Sequence, residues 1–297
     1  MADKHILHML SPLKHVSPFD VNMALDAGFD AVVPYEGVQL DEVGGLVQDA
    51  IFSRPPRAGV RTGIFIGGRD ALLALDMMEA AKKAMVPPFV VSLFADPYGS
   101  FTTAAAMVAR VERVLREDRA RELRGLRVAI FGATGVVGFA SGVIAARQGA
   151  EVTLVGHNGP EQVAKAADEI DQRFGTDVRS ADGSTDALKG AILGSTDVAL
   201  CAAKAGVQVL TAEQVRASSL IVVADVNAVP PLGVEGLDVH ADGTRLNNKT
   251  LGIGALAIGQ TKYETELGLF KRMIEATKPV SYDFRDAFAL ARELAAA

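Results

Sequence analysis

Three glycines at a regular spacing carry the first chemical signal in this sequence. In Gly132-Ala133-Thr134-Gly135-Val136-Val137-Gly138 they follow an apolar run at 128–131 and open a helical stretch. The unit is about thirty residues long and closes on a second apolar run at 152–155, the context in which such a turn cradles the pyrophosphate of a dinucleotide. Gly132 permits a sharp exit from the strand and Gly135 lets backbone approach the pyrophosphate. Gly138 lets helix and strand pack closely, and the helix N-terminus supplies unpaired N–H groups and a positive dipole end. The spacing places Ala133 and Thr134 before the middle glycine, a less specific variant than G-x-G-x-x-G, and a ligand-free strand–helix turn is the plainer alternative. His157 stands 19 positions beyond Gly138, where an acid commonly grips the ribose 2′-hydroxyl of NAD. With His157 and Asn158 there, nothing repels a 2′-phosphate and no arginine captures one, so both NAD and NADP are expected cofactors. Ala202 and Asp225-Val226-Asn227 end two further strand-like runs, at the carboxyl edge where open α/β sheets bind ligands. Asn227 is the candidate partner for a nicotinamide carboxamide.

The elements needed to position these groups are legible along the chain. Residues 5–10, 31–35, 63–67 and 89–95 read as strands, and helices are expected over 17–28, 71–84 and from about 100 to 121. Ser17 serves as N-cap of the first helix, Pro18 as its first residue and Gly28 as its stop. A second alternating series begins near Arg127, with strands at 128–131, 152–155, 177–180, 198–202 and 220–224, and helices between most of them. This alternation predicts an α/β protein: a Rossmann-type parallel-sheet domain plus a smaller α/β substrate domain, with a cleft between them. The expected boundaries are 1–124 for the substrate domain, completed by helices over 265–297, and 125–264 for the dinucleotide-binding domain.

Composition excludes several classes. The 297 residues carry a formal charge of -6, which argues against nucleic acid and anionic membrane surfaces as partners. The charged run 117–122 reads as a solvated helix end. No apolar run approaches the roughly 18 residues of a membrane span, and the start resembles no signal peptide, so a cytoplasmic protein is expected. The single cysteine, Cys201, lies in an apolar run and reads as a core residue; no Cys/His spacing suggests a metal.

Four segments resemble one family over nearly the whole chain: ILHMLSPLKHVSPFDVN at 6–22, DPYGSFTTAA at 96–105, DVNAVPP at 225–231 and GIGALAIGQTK at 252–262. They are similar to the methylene-tetrahydromethanopterin dehydrogenases of methylotrophic bacteria. The form that accepts both cofactors is the better match, because the NADP-specific form has an arginine where this chain has His157. The resemblance implies hydride transfer from methylene-tetrahydromethanopterin to NAD or NADP, and a homo-oligomer built from trimers. A reaction that moves no proton needs positioning more than acid–base groups. Asp20 and Asp96 are the expected acids for the pterin edge, and Phe19 the stacking aromatic. Ser100, Thr102 and Thr103 supply short donors beside Asp96. Lys262 resembles the family's active-site lysine; a cation close to a developing cation would oppose hydride loss, so it is assigned to gripping a pterin carbonyl or ordering the site. Asp96 as a helix N-cap, Phe19 as a core aromatic and Lys262 as a solvated helix-start residue are the structural alternatives.

Three other activities fit parts of the pattern. A methylene-tetrahydrofolate dehydrogenase, with or without cyclohydrolase activity, is the nearest, but Tyr35 is followed four positions on by Gln39 rather than lysine. A shikimate-type dehydrogenase would want a Lys/Asp pair for proton transfer. A dinucleotide-sensing regulator would want a basic DNA-binding face.

Overall fold

Capping chemistry fixes where several helices begin. In α1 (Pro18–Ala27) the Ser17 hydroxyl accepts from the Asp20 amide, proline occupies the first turn, and Gly28 ends the helix in the left-handed region at φ 113°. The computed structural model describes residues 4–296. Met1–Asp3, part of the start read for a signal peptide, and Ala297, the end of the expected C-terminal helical segment, lie outside the described residues.

The chain divides into two compact units, residues 1–102 with 263–290 and residues 103–262 with 291–297. In the first, β1 (Ile6–Ser11), β2 (Ala31–Glu36), β3 (Thr62–Ile66), β4 (Ser92–Ala95) and β12 (Ser281–Tyr282) form a sheet of order β12-β4-β3-β1-β2 in which every pair is parallel. Every β3 residue is buried, as a strand covered on both faces must be. Phe65 and Phe94 pack edge-on at 5.4 Å, and both meet Phe270, at 5.5 and 5.1 Å. Rings buried to this degree contribute roughly 2–3 kcal/mol each. Helices α2 (Val43–Phe52) and α3 (Ala71–Ala84) complete this region; Asp70 caps α3 by accepting from Leu72 and Leu73. The fourth strand is shorter than expected because residues 86–89 form a tight turn through the Pro87-Pro88 pair.

The second unit holds β5 (Arg127–Phe131), β6 (Glu151–Gly156), β7 (Val178–Asp182), β8 (Val198–Cys201), β9 (Val222–Asp225), β10 (Asp242–Arg245) and β11 (Leu251–Ile253), in the order β10-β11-β9-β8-β5-β6-β7. All pairs are parallel except the β10–β11 hairpin at the edge. Counted from β5 outward, this is the doubly wound dinucleotide-binding order with one antiparallel strand added. Helices α5 (Val136–Arg147), α6 (Glu161–Phe174) and α7 (Asp186–Leu193) form the crossovers. Helix α4 (Ser100–Arg119) begins in the first unit and continues in the second, and α9 (Ala255–Glu275) begins in the second and ends in the first.

Cys201 ends β8 with no exposed surface, and burial together with the nearby Asp225 charge pushes its thiol well above the usual range. A buried thiol held protonated is a poor nucleophile. We therefore expect Ellman's reagent to find no reactive thiol in native protein at pH 8 and one in guanidinium; rapid native labelling would contradict the packing.

Candidate active site

In the second unit the chain leaves β5 toward β6 on one side and later returns to β8 on the other, so the crevice at the carboxyl ends of β5 and β8 is the topological switch point. The glycine turn sits there. Gly132 has φ 76°, and a Cβ on it would stand 2.4 Å from the Ala202 carbonyl oxygen. A Cβ on Gly138 would stand 2.5 Å from the Gly132 oxygen. These two glycines are required by the protein's own packing. Gly135 is different: a Cβ there would touch only the Gly132 oxygen, at 3.4 Å, and the residue is exposed with ordinary backbone angles. Helix α5 begins directly after it with no side-chain cap, leaving first-turn amides for an anion. Open space above Gly135 and uncapped amides fit the pyrophosphate of a dinucleotide. His157 and Asn158 are exposed just beyond β6.

Two residues expected to face the cofactor turn inward instead. Asp225 is 2% exposed; its carboxylate accepts from the amides of Asn227 (3.0 Å) and Val234 (3.1 Å), and burial raises its carboxyl above the usual range. Asn227 is 4% exposed. Its Oδ1 accepts from the Gly206 and Val229 amides at 3.3 and 2.8 Å, and its Nδ2 donates to the Pro231 oxygen at 2.9 Å. The side chain of Asn227, expected from sequence to meet a nicotinamide carboxamide, ties the loop after β8 to the loop after β9. The D-x-N pattern at a strand end was the available signal, since Asx side chains bond backbone nearby. Asn227→Ala removes three part-buried hydrogen bonds to backbone and is expected to destabilise by about 2–4 kcal/mol. A melting temperature within a degree of the parent would contradict that role.

The first unit has its own switch point, between β1 and β3. A recess there is lined by Ser11 and His15 after β1, Ser17 and Asp20 at the start of α1, Gly68 after β3, and Tyr98. Asp20 is 3% exposed at this recess, whereas Phe19 is 44% exposed, which sets aside a core role for that ring. Tyr98 was not foreseen. It holds φ 57°, a left-handed conformation costing a non-glycine residue about 1–2 kcal/mol, and is 57% exposed with the Arg69 guanidinium 4.3 Å over its ring. Side-chain type gives no hint of such a backbone state, so Tyr98 and Arg69 escaped the sequence reading.

Asp96 is fully buried. Its Oδ1 accepts from the Phe101 and Thr102 amides at 2.8 and 3.3 Å, and Thr102 donates its hydroxyl to Oδ2 at 2.6 Å. Asp96 thereby caps the start of α4, and with Thr102 it fixes the loop that carries Tyr98. Ser100 and Thr103 are half-buried in the first turn of α4. Lys262 is half-buried within α9 rather than at its start, which removes the solvated helix-start alternative. Tyr35 shares a hydrogen bond with His8 Nδ1 at 3.1 Å, and the Gln39 amide donates to the Gly37 oxygen. Among the described residues, no cluster of three or more His, Cys, Asp or Glu side chains could hold a metal, and no helix is long and apolar enough to cross a membrane.

Solved structures similar to this chain share its architecture at low identity. A malic enzyme from Thermotoga maritima aligns with a TM-score of 0.61 at 12% identity, covering 97% of this chain and 84% of its own. Shikimate 5-dehydrogenase from Listeria monocytogenes aligns with a TM-score of 0.52 at 13% identity, covering 99% of this chain and 97% of its own. These likenesses concern the fold alone. Residues 18–98, which include Asp20, Gly68 and Tyr98 of the recess, match the family model described as methylene-tetrahydromethanopterin dehydrogenase, N-terminal. The chain is 54% identical to the NAD(P)-dependent methylenetetrahydromethanopterin dehydrogenase of Methylorubrum extorquens over 98% of its own length and 99% of that protein's. It is 34% identical to the bifunctional protein MdtA of the same organism, over 94% and 95%. Identity at this level from end to end, with the recess and the glycine turn both inside the aligned region, means that the chain belongs to the methylene-tetrahydromethanopterin dehydrogenase family.

Proposed function

We propose that this chain oxidises methylene-tetrahydromethanopterin to the methenyl form by hydride transfer to NAD or NADP. The observation that carries this reading is the 54% identity, over 98% of the chain, to the dehydrogenase of that name. Either cofactor, when bound, supplies the hydride acceptor. The first-turn amides of α5 hold its pyrophosphate over Gly135, with Ala133, Thr134, Val136 and Val137 as the remaining backbone of the cradle and Ala202 closing the floor beneath Gly132. His157 and Asn158 present groups that bond either a ribose hydroxyl or a 2′-phosphate. Asp225 and Asn227 act through the loops they hold.

The substrate's methylene carbon lies between two nitrogens whose lone pairs take up the positive charge as hydride leaves. The protein's task is therefore to orient and to exclude water. In this reading Asp20 accepts the paired N–H donors of the pterin edge, Phe19 lies against the ring, and the Ser100–Thr103 turn, braced by Asp96, shapes the wall. Lys262 grips a pterin carbonyl. We assign residues 1–124 with 265–297 to the substrate and 125–264 to the cofactor, and take the enzyme to be a cytoplasmic homo-oligomer built from trimers, as its family resemblance implies.

The test is to supply methylene-tetrahydromethanopterin, methylene-tetrahydrofolate and shikimate, each with NAD and with NADP. Reduced cofactor and methenyl absorbance should appear together with the first substrate; no turnover with it would overturn the assignment. Lys262→Ala is expected to lower kcat/KM for the pterin about 100-fold while leaving KM for NAD unchanged, roughly 2.7 kcal/mol of orientation. Full activity in that variant would remove Lys262 from the site.

A further inference from the structure

At the opposite end of α5 from the glycine turn, five arginines and two glutamates line one recess of the second unit. Arg116, Arg121 and Arg124 come from the end of α4 and the loop that follows, Arg147 from the last turn of α5, and Arg292 from the last turn of α10 (Phe284–Ala295). Glu112, 6% exposed, forms part of the lining and is already paired: Arg292 Nη2 donates to its Oε1 at 3.2 Å, and Arg292 Nε lies 2.7 Å from its Oε2. Burial nevertheless raises the Glu112 carboxyl above its usual range. Among the described residues, no carboxylate lies at ion-pair distance from Arg116, Arg121, Arg124 or Arg147, although the protein as a whole carries a charge of -6.

The lining leaves a formal surplus of three positive charges. Helix C-termini account for part of it: α4, α5 and α10 end here, each offering about half a negative charge. That offsets roughly half of the surplus. The chain also holds Ala120 at φ 48°, in the left-handed region, where it turns the backbone from α4 to Arg121, and the Arg121 amide bonds back to the Leu115 oxygen at 3.1 Å. Arginine forks without carboxylate partners, gathered around a concave wall, match the oxygens of phosphate and carboxylate groups.

We infer that this recess binds a small anion of two or more negative charges, of the phosphate or polycarboxylate kind, at a site separate from the dinucleotide. Helix α5 spans 12 residues, or about 18 Å, between the two. The run 117–122 that sequence alone reads as a solvated helix end thus supplies Arg121 and Glu122 to this lining.

The test uses the whole protein saturated with NAD, so that the α5 N-terminus is filled, and titrates it calorimetrically with inorganic pyrophosphate and with citrate at constant ionic strength. Saturable binding of one anion per chain is expected. Pyrophosphate binding alone assigns a phosphate ligand, citrate alone a polycarboxylate, and both a general polyanion site. The double variant Arg124→Gln/Arg147→Gln should bind at least tenfold more weakly and keep its NAD affinity, which shows it is folded. Arg245→Gln, at an exposed arginine on β10, should bind as the parent does. Absence of saturable binding in the parent, or undiminished binding in the double variant, overturns the inference.

Discussion

Gly135→Val should raise KM for both NAD and NADP about 100-fold while the melting temperature stays within a few degrees of the parent's. The expectation follows from the different surroundings of three glycines in one turn. At Gly132 and Gly138 a new Cβ meets backbone at 2.4 and 2.5 Å, so even alanine must push the turn or the helix aside. At Gly135 the protein itself leaves room: the backbone is extended at φ -82°, ψ 163°, and the nearest atom is 3.4 Å away. A valine there keeps the fold but occupies the volume through which a pyrophosphate reaches the α5 amides. Losing one or two hydrogen bonds to a charged group, at about 1.5–3 kcal/mol each, corresponds to the stated factor. Initial-rate kinetics and thermal melts followed by circular dichroism check both halves of the claim. Gly132→Ala, by contrast, should lose folded protein rather than affinity alone. A Gly135→Val enzyme with unchanged KM would mean that the turn serves packing only.

This division of labour also explains what the sequence could reveal. The glycine turn, α1 and α3 were legible because each is decided locally, by caps, stops and apolar spacing. Helix α2 was not, although Val43, Val47, Ala50 and Ile51 lie on one helical face, because Gly44 and Gly45 interrupt it and no side chain caps it. The polar edge strand β10 depends on its hairpin partner β11 and the two-residue β12 on the remote β4, and neither carries a pattern of its own. The candidate site divides in the same way. Which loops carry it followed from strand ends, but the direction of a side chain did not: Asp96 and Asn227 are short polar residues at such ends, and both bond the backbone of their own loops. Asp20 stands instead in the first turn of α1, and it lines an open recess.

Asp20→Asn is accordingly expected to separate the two halves of the reaction. The substitution preserves volume and replaces a carboxylate oxygen with an amide donor, which would then face the donors of the pterin edge. A charge-assisted pair of hydrogen bonds contributes several kcal/mol, and a donor opposed to a donor adds a desolvation cost of about 1–3 kcal/mol. We expect kcat/KM for methylene-tetrahydromethanopterin to fall about 1000-fold, near 4 kcal/mol, with KM for NAD within a factor of two. Phe19→Ala should act on the same substrate more weakly, about tenfold, because an exposed ring contributes contact area rather than a matched pair of hydrogen bonds. Should Asp20→Asn weaken NAD and pterin alike, the carboxylate would serve the start of α1, where the Asp20 backbone amide donates to the Ser17 hydroxyl at 3.4 Å, rather than the substrate. The order of the two effects, a large one at the buried acid and a small one at the exposed ring, is what distinguishes a recess that reads the pterin edge from one that merely encloses it.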